Sequence, residues 1–241
     1  MSITSSPITS NPITSNPTAA RTTDRCTPEQ RVTRSLLGYG VLAGPFYVVA
    51  SLAQALIRDG FDLRRHEWSL LANGDFGWVQ VANLVLTGLM TVAFAIGVGR
   101  AVPTGRGARW APRLLAAYGV SLVAAGAFRE DPALGFPSGT PQGAGEISWH
   151  GILHFVAGGL GFACLALACL ALARRYAVLG RRGWAAFSAL TAVVFLAGFA
   201  MVASGQGSVV ANLAFTAAVV LVWAWMTAVA TDLYRGDRTS H

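Results

Sequence analysis

Apolar and polar positions alternate on a long scale along this chain. Six stretches, at 35–57, 77–99, 110–128, 149–173, 184–204 and 209–231, consist mainly of Ala, Val, Leu, Gly and aromatic residues. Their central turns carry no charged side chain, apart from Arg113 near the start of the third. About 20 mostly apolar residues make one helical crossing of a bilayer, whereas a membrane strand needs about half that. Only helices, among open structures, satisfy their own backbone groups in lipid. The pattern therefore predicts an all-α polytopic membrane protein, a six-transmembrane-helix bundle over residues 35–233.

The flanks differ. Residues 1–34 begin with ITSSP, ITSNP and ITSNP, then turn polar with four arginines. Such a segment buries too little apolar surface to offset its ordering entropy, so a disordered Ser/Thr/Pro-rich tail is expected. It does not read as a cleavable signal peptide, because the first apolar run starts only at about residue 35 and is too long for an h-region. Residues 234–241 form a second short tail.

Composition supports lipid as the main solvent: 54% of residues are hydrophobic and 12% charged, against about 25% charged in a soluble domain. The net charge of +7 comes entirely from arginine. Fourteen arginines lie in the N-terminal tail, the second and fourth connections and the C-terminus; only Arg58, Arg64, Arg65 and Arg129 lie on the other side. That bias predicts a plasma membrane protein with both termini cytoplasmic, and it explains the basic charge without a nucleic-acid partner. Seven of the eleven acids, including Glu67, Glu130, Asp131 and Glu146, then face outward. Trp68, Trp78 and Trp149 suit an outer aromatic belt, and Trp110, Trp184 and Tyr234 an inner one. Cys26, Cys164 and Cys169 form no disulfide or metal pattern.

One echo runs through the chain. VVAS (48–51) and VANLVLT (81–87) flank the first outer connection, while MVAS (201–204) and VANLAFT (210–216) flank the last. The last turns with little more than GQGSV, and the first takes a couple of dozen residues more. Asn83 and Asn212, at matching points, read as helix–helix hydrogen bonds, and Gly40 and Gly44 as close packing.

The extra length holds the first candidate chemistry. Arg58, Asp59, Asp62, Arg64, Arg65, His66 and Glu67 suggest a folded cap with internal ion pairs. Arg-Arg-His beside a membrane also suits an anionic headgroup. The second outer loop, REDPALGFPSGTPQGAGEISWH (129–150), is shaped by Pro and Gly. Asp131 before Pro132 serves either as a turn former or as a ligand or base. Glu146, His150 and His154 fall at i, i+4 and i+8, one stripe of a helix if the fourth span starts early. Three readings stay open for that set: a metal site, a catalytic or ligand-binding His pair, and interhelical hydrogen bonds.

RDGFDLRRHEWSLLANGDFGWVQVANL, DPALGFPSGTP and HGILH together resemble the bacterial and archaeal membrane proteins of the domain-of-unknown-function 998 family, over roughly residues 36–233. The resemblance implies an integral membrane protein of about six helices and brings no activity or cofactor. The expected site is thus an outward polar pocket between the two outer loops, binding a small polar or lipid-headgroup ligand. Arg58, Asp62, Arg65, His66, Glu146 and His150 are its binding candidates. A membrane enzyme using His66, Asp131, His150 or His154, with or without a metal on His150, His154 and Glu146, is the alternative. A transporter ranks below both, since the spans lack ionisable groups at mid-depth.

Overall fold

The computed structural model describes residues 27–239, apart from 106, 144, 206 and 207. The described chain forms six helices: α1 (Pro28–Ile57), α2 (Gly77–Ala101), α3 (Trp110–Ala127), α4 (Trp149–Val178), α5 (Arg182–Ser204) and α6 (Val209–Thr239). A short 3₁₀ helix, Trp68–Ala72, lies between α1 and α2. All except α3 are long and apolar enough to cross a membrane, with mean hydropathies of 1.7 to 2.3. α3 has 18 residues and opens Trp-Ala-Pro-Arg, which dilutes its apolar character.

Both ends of the bundle run further than the hydropathy pattern predicts. Most of the expected disordered tail, residues 1–26, lies outside the described residues, but 28–34 are the first turns of α1. Thr27 caps that helix: its hydroxyl accepts from the Gln30 N–H, and the Gln30 side chain accepts from the Thr27 N–H. With Pro28 in the first turn, this polar capping box starts a helix before the apolar run begins. The expected C-terminal tail likewise continues α6 to Thr239.

Each helix packs on its neighbours in sequence, and α6 closes a ring on α1. Short connections make successive helices antiparallel. The α1–α2, α3–α4 and α5–α6 connections therefore share one end, the loop face, and most arginines occupy the other. Small residues set the closest approaches. A Cβ on Gly88 of α2 would strike the Gly119 carbonyl of α3, and one on Gly119 would strike the Gly88 carbonyl. Gly40 admits the Phe94 ring of α2, and Gly44 lies against the Trp223 carbonyl of α6, so the expected close packing involves two different partners.

Asn83 bridges helices as expected, donating to the Tyr47 carbonyl (3.2 Å) and Ser51 hydroxyl (3.1 Å) of α1. Gln54 and Gln80 extend the network at 2.8 Å. At the arginine face, Arg181 grips Asp232 of α6 through two contacts of 2.7 and 2.6 Å, and the Tyr176 hydroxyl donates to the same carboxylate. Leu42, Val49, Leu89, Leu160, Leu190 and Val193 point outward and exposed, an apolar girdle suited to lipid.

Candidate functional site: a cavity beneath two joined loops

The first loop-face connection is folded, although backbone carbonyls rather than ion pairs hold its Arg58. Arg58, at the end of α1, donates to the carbonyls of Leu71 and Asn73 and lies 4.9 Å from the centre of the Phe136 ring. Among the described residues, no carboxylate oxygen lies within 4.0 Å of a guanidinium nitrogen of a first-loop arginine, so the expected internal salt bridges are not what shapes this cap.

His66 ties the two loops together. Its Nδ1 accepts from the Asp62 N–H at 2.9 Å, so the proton is on Nε2, which donates to the Leu134 carbonyl at 3.1 Å. Both ring nitrogens are thereby committed to backbone. Phe136, from the GFP of the second loop, inserts beside it, 1% exposed, edge-on to Phe61 at 5.1 Å and 5.6 Å from His66. Leu134 (φ 56°) and Gly135 (φ 86°) supply the left-handed turn that aims Phe136 inward, a conformation uncommon for a residue other than Gly. Asn73 completes the junction by donating to the Glu130 carbonyl at 3.0 Å.

Asp131 builds the start of α4. Its carboxylate accepts from the Ser148 N–H (2.7 Å) and hydroxyl (2.6 Å), while Ser148 caps the helix by accepting from the Gly151 N–H. Burial pushes the Asp131 carboxyl up, but the Ser148 hydrogen bonds and nearby His150 and His154 outweigh it, leaving it below the ordinary carboxylate range. Because α4 begins at Trp149, Glu146 lies before the helix and is exposed. The predicted Glu146–His150–His154 stripe therefore does not form. No three His, Cys, Asp or Glu side chains among the described residues converge as a metal site would require.

Below the joined loops lies a cavity of about 460 Å³. Its body is apolar and aromatic, walled by Tyr47, Tyr118, Phe162, Phe195, Phe215 and Trp223 among others. Ile147, Phe155 and Ala203 are both exposed and part of the wall. They place its mouth on the side of the ring, where the loop-face ends of α4 and α5 meet. Gly158 and Gly159 of α4 line it with open space where side chains would stand.

The polar end is acidic. Its ionisable lining residues are Glu67, Glu130, Asp131 and His154, together with the tyrosines, and no described arginine lines it. Burial pushes the Glu67 carboxyl up to about 7, with Glu130 adding repulsion. Burial likewise lifts Glu130 to about 7; a Ser69 hydroxyl draws it down and Asp131 raises it further. His154 holds its Nδ1 against the carbonyls of Ala125 (3.1 Å) and Phe128 (2.9 Å), which can only accept, so that nitrogen carries the proton. Its Nε2 faces Glu130 Oε2 at 3.9 Å. Glu130 Oε2 and the Trp68 indole N–H are buried with no hydrogen-bond partner.

A family model described as "Protein of unknown function (DUF998)" matches residues 41–232. The chain belongs to the DUF998 family. No curated protein and no solved structure gives a significant match. The DUF998 match spans both loops and the whole cavity wall.

Of the residues expected from sequence to form this protein's site, Asp131 and His154 reach the cavity. His66 joins the loops, Arg58 braces first-loop carbonyls beneath the Phe136 ring, and Asp62 shapes a local turn by accepting from the Arg64 N–H. His150 stands half-buried, 3.6 Å from Asp131, and Arg65 is also outside the lining. Trp68 is not part of an outer belt: it is 6% exposed and lines the cavity, while Trp78 and Trp149 are exposed. Glu67, expected only as part of an ion-paired cap, and Glu130, expected only as an outward-facing acid, line the cavity although neither was among the site candidates. The available signal was the apolar run Trp-Ser-Leu-Leu-Ala directly after Glu67, which carries that acid into the bundle.

Proposed function

We propose that this DUF998 protein spans the plasma membrane six times, with both termini cytoplasmic, and binds an amphiphilic small molecule or lipid drawn sideways from the bilayer. The arginine bias supports the orientation, and the place of α3 between α2 and α4 in the ring supports a sixth span. One observation carries the binding reading: the cavity joins a long apolar body and a side mouth to a small acidic end. Its volume falls in the usual range of small-molecule pockets, roughly 300–1,000 Å³. A free polar ion or headgroup fits less well as the whole ligand, because most of the wall offers it no partner. The ligand is therefore apolar along most of its length.

Native mass spectrometry of the purified protein tests this. A retained amphiphile is expected, and Gly158→Leu with Gly159→Leu, which fill the open wall, should release it. Retention in the filled variant would end the cavity reading. Alkaline phosphatase fused after Asp75 should be active and after Gly105 inactive; the reverse would overturn the orientation.

The enzyme reading keeps one specific support. His154 presents a lone pair on Nε2 toward Glu130 with its tautomer fixed by two carbonyls, an arrangement able to move a proton to or from a bound molecule. Turnover of the retained amphiphile, lost in His154→Gln while binding persists, would favour it over binding alone.

A further inference from the structure

The cavity's charged end specifies the head of its ligand, an inference that rests on the amphiphile-binding reading. Three features coincide there. First, the charge that lines it is acidic, since Glu67 and Glu130 face the space and no described arginine does. Asp131 is already held by Ser148, and Arg58 by backbone carbonyls. Second, Glu130 leaves Oε2 without a partner although its side chain is only 9% exposed. A buried carboxyl oxygen in that condition carries an unmet demand for a donor. His154, at 3.9 Å, is too far to answer it with a hydrogen bond.

Third, the wall beside these acids is a continuous set of aromatic rings. Trp68 follows Glu67 directly and lies 5.8 Å from Tyr47; Tyr47 lies 5.1 Å from Trp223, and Trp223 lies 5.9 Å from Tyr118. Aromatic faces backed by carboxylate attract a cation through the ring quadrupole, and they do so most strongly when water is excluded. A phosphate or carboxylate head could accept from the unpartnered Trp68 indole N–H but would meet repulsion from Glu67 and Glu130, and a hydroxyl would answer Glu130 without using the rings.

We propose that the cavity takes a cationic amphiphile, its ammonium head held by Glu130 and Glu67 against the Trp68–Tyr47–Trp223–Tyr118 wall, its tail directed to the α4–α5 mouth. A primary amine uses both features, donating to Oε2 and lying over the rings. A quaternary ammonium uses charge and rings alone.

The test compares three probes of one chain length, decylamine, decanol and decanoate, on the full chain in zwitterionic phosphatidylcholine nanodiscs, with each affinity referred to that probe's membrane concentration as measured on empty nanodiscs. At pH 8, where Glu67, Glu130 and Asp131 are ionised and His154 faces them, decylamine should bind at least about tenfold tighter than either other probe. Glu130→Gln, close in shape, should reduce that preference to about twofold or less while decanol binding stays unchanged. Glu67→Gln should reduce it in the same direction, and serves alone should the first variant fail to fold. Equal binding of the three probes, or preference for decanoate, overturns the cationic head and leaves the cavity reading standing. Absence of binding by all three overturns both.

Discussion

Two connections on the loop face join helices with echoing flanks, yet they do different work. The α5–α6 turn is short: α5 stops at Ser204 and α6 begins at Val209, just before VANL. In the α1–α2 pair, α1 runs past the matching Ser51 to Ile57, and α2 begins at Gly77, a turn before its own VANL. One hairpin is therefore taller than the other, and the long connection lies over the low one. The matched asparagines show the division. Asn83 joins two helices, as expected. Asn212, expected to do the same, instead donates to the Leu63 and His66 carbonyls at 2.9 and 3.1 Å and holds the long loop down. Length in the first connection supplies a roof to the cavity, with Glu67 and Trp68 on its underside.

Breaking the roof at its most buried point should have the largest effect. Phe136→Ala removes a ring packed against Phe61, His66 and Arg58, and should cost about 3–5 kcal/mol. Thermal unfolding in detergent would measure it; a loss under about 1 kcal/mol would mean that the loops hold without this anchor. Asn212→Ala should cost about 1–3 kcal/mol by leaving carbonyls unmet. It should also expose Arg64 and Arg65 to trypsin, as Asn83→Ala does not. Equal cleavage in both variants would remove the distinction between the two asparagines.

A smaller effect concerns acid. Glu67 and Glu130 titrate near 7 in the folded chain, against an ordinary 4.5. Between those values the folded state holds protons that the unfolded state releases, so stability should fall as pH rises through that window. Glu130→Gln should flatten the fall; an unchanged slope would place the raised carboxyl elsewhere. Smallest of all, Arg64→Ala on the exposed rim should leave stability within about 0.5 kcal/mol.

Much of the fold was legible because bilayer crossing imposes length and hydropathy at once. The early start of α1 was legible in principle, as Thr-Pro-Glu-Gln is a capping signal, but a hydropathy window places it in the polar tail. The site was harder to read. Arg58, His66 and Asp62 have the chemistry of ligands, and only the folded loops reveal that backbone carbonyls and amides occupy them. Phe136 looked like one residue of a Pro/Gly-rich turn, because its burial depends on a positive φ at Leu134. Glu67 and Glu130 lie 63 positions apart in number, and pairing them requires knowing that α1–α2 and α3–α4 share a face.

The side mouth between α4 and α5 changes what concentration means for this protein. A ligand entering there is counted per leaflet area rather than per volume of water. Its apparent strength in solution then includes its partition into the membrane, and each methylene removed should weaken it by about 0.8 kcal/mol, roughly fourfold, before any contact with the wall is altered. Selectivity among heads would be read by Glu130, and abundance by the bilayer itself.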